Sequence, residues 1–447
     1  MYNTSERNFE CVEELKNFGK FWYIVDPYET SFERPEDVPD YYSQVWLSFL
    51  VLVMLEQVIL FAGKRKPFRM NDQVTSLSHW MFQESVRIAS RGAEHWSYIF
   101  IYDNFRLWSL AWDNPWTWYA AVIGVDFCYY WVHRANHEVH FLWAQHQVHH
   151  SSEEFNLVVG LRQSIFQHWL TFIFYLPLAL FLPPSHFVAH HQLNLIYQLW
   201  IHTTVVKDLG ILEYLLNTPK HHRVHHGCNL YCLDKNYGGV LIVWDRLFGT
   251  FMEERVGEEI IYGLVSSPRS FNPMYLQTFY TEALIGKCGE MKSLRDKLAV
   301  FWKGPSWFPG APRLGLDEFK INVTSRSIYN VKTPGWKNIY IALHFGLVFY
   351  AHRQLCTDKG SLTGITTSGA IITNNIFALT GIGMLFDDSK YAATVELARC
   401  LLFIAVFERI AGDEAIFATA YLNVVSYAHI ASCCFWVVYI FWVSKFP

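Results

Sequence analysis

Long apolar stretches alternate with shorter polar segments along most of the chain. The first of them, residues 43–63, is apolar over the length of a membrane helix and is followed at once by Lys64, Arg65, Lys66 and Arg69. A span of about 20 apolar residues crosses a bilayer, and clustered basic residues favour the cytoplasmic side. The pattern predicts a membrane helix whose basic end faces the cytoplasm.

The middle of the chain contains further apolar stretches. Residues 116–131 are apolar except for Asp126, and residues 165–182 and 187–206 are separated by Pro183 and Pro184, which predicts a helical hairpin. Two crossings would return the chain to the side it left. Residues 96–112 are aromatic but include acidic and basic side chains, so both a crossing and an interfacial segment remain open.

Polarity along the sequence divides the chain into five parts. We expect a polar N-terminal segment at 1–42, a span with an interfacial segment at 43–114, a central domain at 115–255, an extramembrane segment at 256–335, and C-terminal spans at 336–447. The spans of the last part are expected at about 338–354, 364–386, 394–410 and 415–443. The predicted fold class is an all-α, multi-span membrane bundle with a histidine-rich di-metal site at one membrane face.

Composition agrees with a chain that lies largely in lipid. Hydrophobic residues make up 52% of its 447 residues and charged residues only 17%, against about 25% in globular proteins. The net charge of −4 and the absence of a basic patch in the sequence give no reason to expect a nucleic-acid partner. Membrane lipid is the expected surrounding.

Histidines carry the strongest chemical signal. Fifteen of the 20 lie between residues 133 and 226, and eight form three tight groups: His133 and His137; His146, His149 and His150; His222, His225 and His226. Residues three and four apart share a helix face, and neutral imidazole is a common ligand of iron, copper and zinc. Each group is expected to offer its nitrogens to a single point. Eight imidazoles suit two metals with four each.

Three further positions near these groups have two interpretations each. His202, at the end of the second hairpin helix, is either a ninth metal ligand or structural. Asp126 is either an acceptor that orients a histidine or a helix-packing residue. Glu138 either binds an amine of a cofactor or meets solvent. Cys228 and Cys232 are expected to pack, since their spacing matches no common zinc site.

The three histidine groups, the hairpin between them and the segment Asp234–Thr250 resemble the fatty acid hydroxylase and sterol desaturase superfamily over about residues 115–255. The resemblance implies a membrane di-iron oxygenase that uses O2 to attack an unactivated C–H bond of a lipid. It implies as iron ligands, and as catalytic residues, the eight grouped histidines: His133, His137, His146, His149, His150, His222, His225 and His226.

The N-terminal run Tyr28–Phe32, the element Pro115–Tyr119 and the long C-terminal extension resemble one branch of this superfamily, the ether-lipid monooxygenases. This resemblance implies tetrahydrobiopterin as the reductant, a glyceryl ether as the substrate and the endoplasmic reticulum membrane as the location. Hydroxylation of the ether-bearing carbon gives a hemiacetal that collapses to a fatty aldehyde, so a fatty aldehyde dehydrogenase is an expected downstream partner. Glu138 is the candidate cofactor-binding residue, because a carboxylate suits the N–H groups of a pterin.

Other functions remain open from the sequence alone. A sterol or fatty-acyl hydroxylase or desaturase supplied by cytochrome b5 would use the same histidines. A zinc-dependent membrane hydrolase or a metal transporter would belong to a different class. The sequence has no nucleotide-binding fingerprint, haem domain or iron–sulfur cysteine array. An oxygenase of this sequence would therefore need an external reductant.

Overall fold

A computed structural model describes residues 4–65, 69–90, 93–358, 365–407 and 419–445. Regular secondary structure in these ranges is helical, and β-structure there is limited to two isolated bridges, Leu216 with Leu241 and Gly227 with Tyr262. The all-α fold class is confirmed.

The described residues contain sixteen α-helices. Their bounds are α1 Thr4–Lys20, α2 Tyr41–Ala62, α3 Met70–Ser90, α4 Ala93–Phe105, α5 Pro115–Glu138, α6 His140–His146, α7 Gln167–Thr171, α8 Pro184–Trp200, α9 Pro219–His226, α10 Val243–Phe248, α11 Pro273–Glu290, α12 Leu294–Trp302, α13 Gly335–Asp358, α14 Ile365–Phe386, α15 Ala392–Leu402 and α16 Thr419–Lys445. Short 3-10 helices include His149–Ser151, Leu157–Leu161 and Phe172–Leu180.

The chain forms two compact units. The first comprises residues 1–68, 92–267 and 280–327, and the second comprises 69–91, 268–279 and 328–447. All three histidine groups belong to the first unit.

Three described helical segments are long and apolar enough to cross a membrane: Pro35–Ala62, Thr366–Phe386 and Tyr421–Trp442. They agree with the spans expected at 43–63, 364–386 and 415–443, and the chain is a multi-pass membrane protein. The span expected at 394–410 is α15 followed by a π-helical turn at Phe403–Phe407. Residues 408–418 lie outside the described residues.

The predicted hairpin differs from the observed one. Its first arm is not one α-helix but α7 followed by a 3-10 helix that contains Pro177, whose ring would clash in an α-helix with the carbonyl four residues earlier. The second arm, α8, begins at Pro184 and ends at Trp200, so the segment 201–206 leaves the helix. As a result His202 lies on a bend and not on a helix.

Helix α5 positions the first two histidines. Asn114 caps it, since its side-chain oxygen accepts from the Trp116 N–H, and Pro115 occupies the first turn. One face of α5, including Val125 and Val132, packs against Tyr175 and Leu178 of the hairpin. This packing places the polar C-terminal turns of α5 beside the histidines of the later elements.

Helix α4 bears on the open question about residues 96–112. It has 13 residues and is followed by non-helical chain up to residue 114. At 1.5 Å per residue it spans about 20 Å, less than the roughly 30 Å of a hydrocarbon core. Trp96 and Trp108 are exposed. The interfacial alternative fits this geometry better than a crossing.

Candidate metal centre

Five elements bring nine histidines together in the first unit. The two helices α5 and α6 supply His133, His137 and His146, and a 3-10 turn supplies His149 and His150. The bend after α8 adds His202, and α9 adds His222, His225 and His226. All nine side chains are buried.

The nine imidazoles form two clusters. Cluster A consists of His133, His137, His146, His150 and His225, and cluster B consists of His149, His202, His222 and His226. In each cluster one nitrogen from every ring lies within 4.8 Å of the others. The sequence suggested two sets of four drawn from eight residues, whereas the structure adds His202 to complete the second set.

The second and third sequence groups are each divided between the clusters. His149 joins cluster B while its neighbour His150 joins cluster A, and on α9 His225 joins A while His222 and His226 join B. The expectation that each group serves a single point is therefore wrong for these two groups. Adjacent residues on a helix point about 100° apart, so the side chains of two consecutive histidines are directed toward two different metal positions.

The two clusters are in direct contact. The rings of His150 and His226 stack with centroids 4.3 Å apart, and those of His222 and His225 stack at 5.0 Å. Metal ions held by the two clusters would lie within a few ångströms of each other.

Most rings are oriented by an acceptor at the nitrogen that faces away from the cluster. The Nδ1 atoms of His133 and His225 lie 2.9 Å from the carbonyl oxygens of Tyr237 and Lys235. His146 Nδ1 lies 3.1 Å from the side-chain oxygen of Gln167. Such outer contacts fix the tautomer so that the Nε2 atom without a proton faces the interior of the cluster.

The contact between His149 and His202 indicates a cation. His202 Nδ1 lies 2.7 Å from the Gln198 carbonyl oxygen, and His149 Nδ1 lies 3.1 Å from that of Arg162. A carbonyl only accepts, so each Nδ1 carries the proton and each neutral ring presents an Nε2 lone pair. The Gln163 amide, 3.3 Å from His149 Nδ1, can offer its oxygen there after a flip. The two Nε2 atoms lie 3.2 Å apart with no proton between them, an arrangement that a metal ion would stabilise.

Cluster A contains the same kind of unmatched acceptor. Among the described residues, the Nε2 atoms of His137, His150 and His225 are buried without a hydrogen-bond partner. An unpaired buried polar atom calls for an explanation, and three imidazole nitrogens grouped in one cluster are explained by a bound ion. The donor set of both clusters fits metal binding.

Burial keeps the imidazoles in the neutral form that binds metals. Desolvation, followed by the charge of neighbouring imidazoles, lowers the pKa of His133 and His137 well below the ordinary value of 6.5. Desolvation lowers the pKa of His146 and His202 to about 4. A neutral ring carries the free lone pair that coordination requires.

The Gly-Gly segment after the third histidine group is held by two buried acids. Asp245 accepts hydrogen bonds from the Tyr237 and Gly238 N–H groups at 2.7 Å, which fixes the Tyr237 carbonyl against His133. A Cβ atom at Gly239 would lie 2.9 Å from Asp126 Oδ1, so only glycine fits there. Sequence reasoning missed the role of Asp245; the two glycines before it were the available signal.

Asp126 does not orient a histidine directly. Its oxygens accept from Asn194 Nδ2, the N–H groups of Val240 and Leu241, and Trp244 Nε1, all at 2.8–3.0 Å. No histidine is a partner among the described residues. The packing alternative is therefore correct, and Asp126 joins α5 and α8 to the Gly-Gly segment.

Glu138 is buried and both of its carboxylate oxygens are paired, so the solvent-exposed alternative is wrong. Arg134 Nε donates to one of its carboxylate oxygens and an Arg313 NH group donates to the other, each at 2.8 Å. Glu138 lines a pocket of about 610 Å³ whose wall also contains Asp234 and Lys235. Asp234 lies 3.8 Å from His137 Nδ1, so this pocket borders the outer side of cluster A.

Cys228 and Cys232 are buried and not disulfide-bonded. Cys232 lies in a small hydrophobic core with Val224, Tyr231 and Ile260. The geometry agrees with the packing interpretation.

Comparison with known proteins identifies the family. The model of the fatty acid hydroxylase family matches residues 118–250, and that of the alkylglycerol monooxygenase C-terminal domain matches residues 337–418. An alkylglycerol monooxygenase of Xenopus tropicalis is 44% identical over 394 residues, covering 88% of each chain. The Homo sapiens protein is 43% identical, covering 89% of each chain. The chain belongs to the alkylglycerol monooxygenase family.

The alkylglycerol monooxygenase of Caenorhabditis elegans is 34% identical over 442 residues and covers 94% of this chain. No solved structure matches. Membership in the family makes the chain an oxidoreductase of lipid metabolism, a monooxygenase that takes O2 and a lipid substrate. The zinc hydrolase and metal transporter alternatives are therefore wrong.

Proposed function

We propose that this protein is a tetrahydrobiopterin-dependent di-iron monooxygenase of ether lipids. It hydroxylates the ether-bearing carbon of alkylglycerols and lyso-alkyl phospholipids, and the hemiacetal collapses to a fatty aldehyde and a glycerol derivative. One observation carries the proposal: two adjacent, buried imidazole clusters with unmatched lone pairs, in a chain of the alkylglycerol monooxygenase family.

The nine clustered histidines are the proposed iron ligands. Cluster A would hold one iron and cluster B the other, and bound iron would supply the activation of O2 that carbon-bound hydrogen requires. The acceptors behind five of the rings hold those imidazoles in one tautomer; the five are His133, His146, His149, His202 and His225. The apolar surroundings exclude water from the reacting carbon.

The proposed reaction balances with one external reductant. One oxygen atom of O2 enters the C–H bond beside the ether oxygen, and the other leaves as water. Tetrahydrobiopterin supplies the two electrons and two protons and leaves as dihydropterin. The endoplasmic reticulum membrane is the proposed location, and a fatty aldehyde dehydrogenase would consume the aldehyde.

The pocket lined by Glu138 is the proposed pterin site. It borders cluster A through Asp234, and it contains both acidic and basic side chains that suit the polar edge of a pterin ring. Each Glu138 oxygen already accepts from one arginine and keeps a second lone pair for an N–H donor. The two arginines hold the carboxylate in place for this contact.

A substitution at Glu138 tests the pterin site. Glu138→Gln should raise the apparent Michaelis constant for tetrahydrobiopterin roughly ten- to a hundredfold, because a charge-assisted hydrogen bond contributes about 1.5–3 kcal/mol. Glu290→Gln, which alters an exposed acid outside this pocket, is the matched control and should leave that constant unchanged. Unaltered pterin dependence in Glu138→Gln would remove Glu138 from the site.

The function itself is tested by product release. Membranes containing the full-length protein should release fatty aldehyde from a glyceryl ether when tetrahydrobiopterin is the sole reductant, and none without it. Activity that instead requires cytochrome b5 and its reductase would favour the sterol or fatty-acyl hydroxylase alternative.

A further inference from the structure

Helix α2, the first span, contains a single charged residue, Glu56. Its side chain is 3% exposed, whereas Met54 and Val58 on the same helix are 65% and 60% exposed. Glu56 therefore faces the protein while its neighbours face outward. An acid within a span is costly and is kept where it has a specific partner.

The partners of Glu56 lie on the two segments around His202. Thr203, the next residue along the chain, donates its hydroxyl to one carboxylate oxygen at 2.5 Å. The Leu157 N–H donates to the other oxygen at 3.1 Å. Leu157 begins the 3-10 turn that contains Gly160, and a Cβ atom on Gly160 would lie only 3.2 Å from His202 Nδ1.

The carboxylate thus joins both walls of the space that holds the His202 ring. From this position His202 Nε2 reaches His149 and His226 at 3.2 Å and His222 at 2.9 Å. A shift of this ring would disturb each of these three contacts. Among the described residues, the hydrogen-bond partners of the His202 ring do not include a member of cluster A.

We propose that Glu56 is a positioning residue for the cluster B metal, acting through His202. The first span then does more than anchor the chain, because its one acid fixes a ligand of the metal centre. The inference rests on the proposed two-iron function. It differs from a role in helix packing alone, which would affect the retention of both metals together.

The test measures metal release from the iron-loaded, full-length protein in detergent after addition of a ferrous-iron chelator. In Glu56→Ala, one of the two irons should leave roughly ten- to a hundredfold faster than in the wild type, as for other losses of a group that orients a ligand. The second iron should leave at the wild-type rate. The kcat should fall by a similar factor, with the Michaelis constant for the lipid within about twofold.

Two variants make the result specific. Glu56→Gln keeps one acceptor oxygen and should restore part of the retention. Met54→Ala, an outward-facing change two residues away, should release both irons at the wild-type rate. Equal acceleration of both irons in Glu56→Ala, or no acceleration, would overturn the inference.

The iron content of the wild-type protein tests the proposed function separately from the role of Glu56. A fully active wild-type protein that holds a single iron would contradict the two-iron centre. In that case the Glu56 inference survives only if Glu56→Ala still accelerates release of that one metal, and is overturned if it does not.

Discussion

Two regions of this molecule contain buried histidines, and they differ in the partners that the imidazole nitrogens have. In the second unit, Arg399 donates to His429 Nε2 at 2.9 Å and to His344 Nδ1 at 3.2 Å. The remaining nitrogens meet the Ser432 hydroxyl and the Val425 carbonyl at 2.9 and 2.7 Å. Both nitrogens of His344 and of His429 therefore have a complementary partner.

The charge of that network is also balanced. Glu396 and Arg399 form a buried ion pair at 2.7 Å, and Tyr340 donates to the same carboxylate. Nothing in this arrangement requires a metal. In cluster B, by contrast, the Nε2 lone pair of His202 faces that of His149, with no proton between them. The comparison teaches that burial of histidines alone does not mark a metal site, whereas a group of imidazoles whose lone pairs face one another does.

The largest expected effect is the loss of turnover when a clustered histidine is replaced. Any one of His137→Ala, His149→Ala, His222→Ala or His225→Ala should abolish turnover, because each removes a coordinating nitrogen. Aldehyde release per folded protein is the measurement. Wild-type turnover in a well-expressed His225→Ala protein would contradict the ligand assignment.

Replacement of histidines outside the two clusters is expected to have a much smaller effect on turnover. We expect His79→Ala, His344→Ala and His429→Ala to leave turnover per folded protein largely intact. The last two should lower stability, since a buried donor of Arg399 loses its acceptor at a cost of about 1–3 kcal/mol. Thermal unfolding separates this effect from catalysis.

The next largest effect concerns His202. His202→Ala should lower kcat roughly a hundredfold or more and reduce the iron content toward one per chain, since a ligand matters at least as much as the groups that orient it. Iron analysis alongside kcat is the measurement. Retention of two irons and near-normal kcat would return His202 to a structural role.

An intermediate effect is expected at the acid that holds the Tyr237 carbonyl. Asp245→Asn keeps one of two acceptor oxygens, so His133 loses part of its orientation and activity should fall roughly tenfold. Asp103→Asn, at an exposed acid outside the proposed pterin pocket, is the matched control. Equal activities of the two variants would contradict this role for Asp245.

The smallest effect is expected at Gly160. In Gly160→Ala the new Cβ would lie 3.2 Å from His202 Nδ1 and 3.3 Å from Leu199 Cδ2, so the ring must shift by a few tenths of an ångström. We expect a severalfold lower kcat at unchanged pterin dependence. Gly286→Ala, which meets open space, should match the wild type in the same assay.

The sequence predicted the fold class and the eight grouped histidines because both depend on local patterns. It left His202 open, because that ring's role depends on where α8 ends and on Gly160, which is distant along the chain. The residues that surround Glu138 could not be predicted from the neighbouring sequence either. Its second arginine, Arg313, lies 175 residues away in the sequence.

The division of the histidine groups between two clusters illustrates the same limit. Spacing shows which histidines share a helix face, but His149 and His150 lie on a 3-10 turn whose direction is set by tertiary contacts such as the Arg162 carbonyl. Adjacent histidines can therefore serve different metals. Only the folded structure shows which cluster each histidine joins.

The central claim is that the two clusters hold two irons, and iron content with Mössbauer spectroscopy of fully active protein tests it most directly. The account predicts two irons per chain in an interacting pair. Copurified zinc that iron can replace does not bear on this result, since zinc competes for imidazole sites. A single mononuclear iron in a fully active preparation would contradict the account.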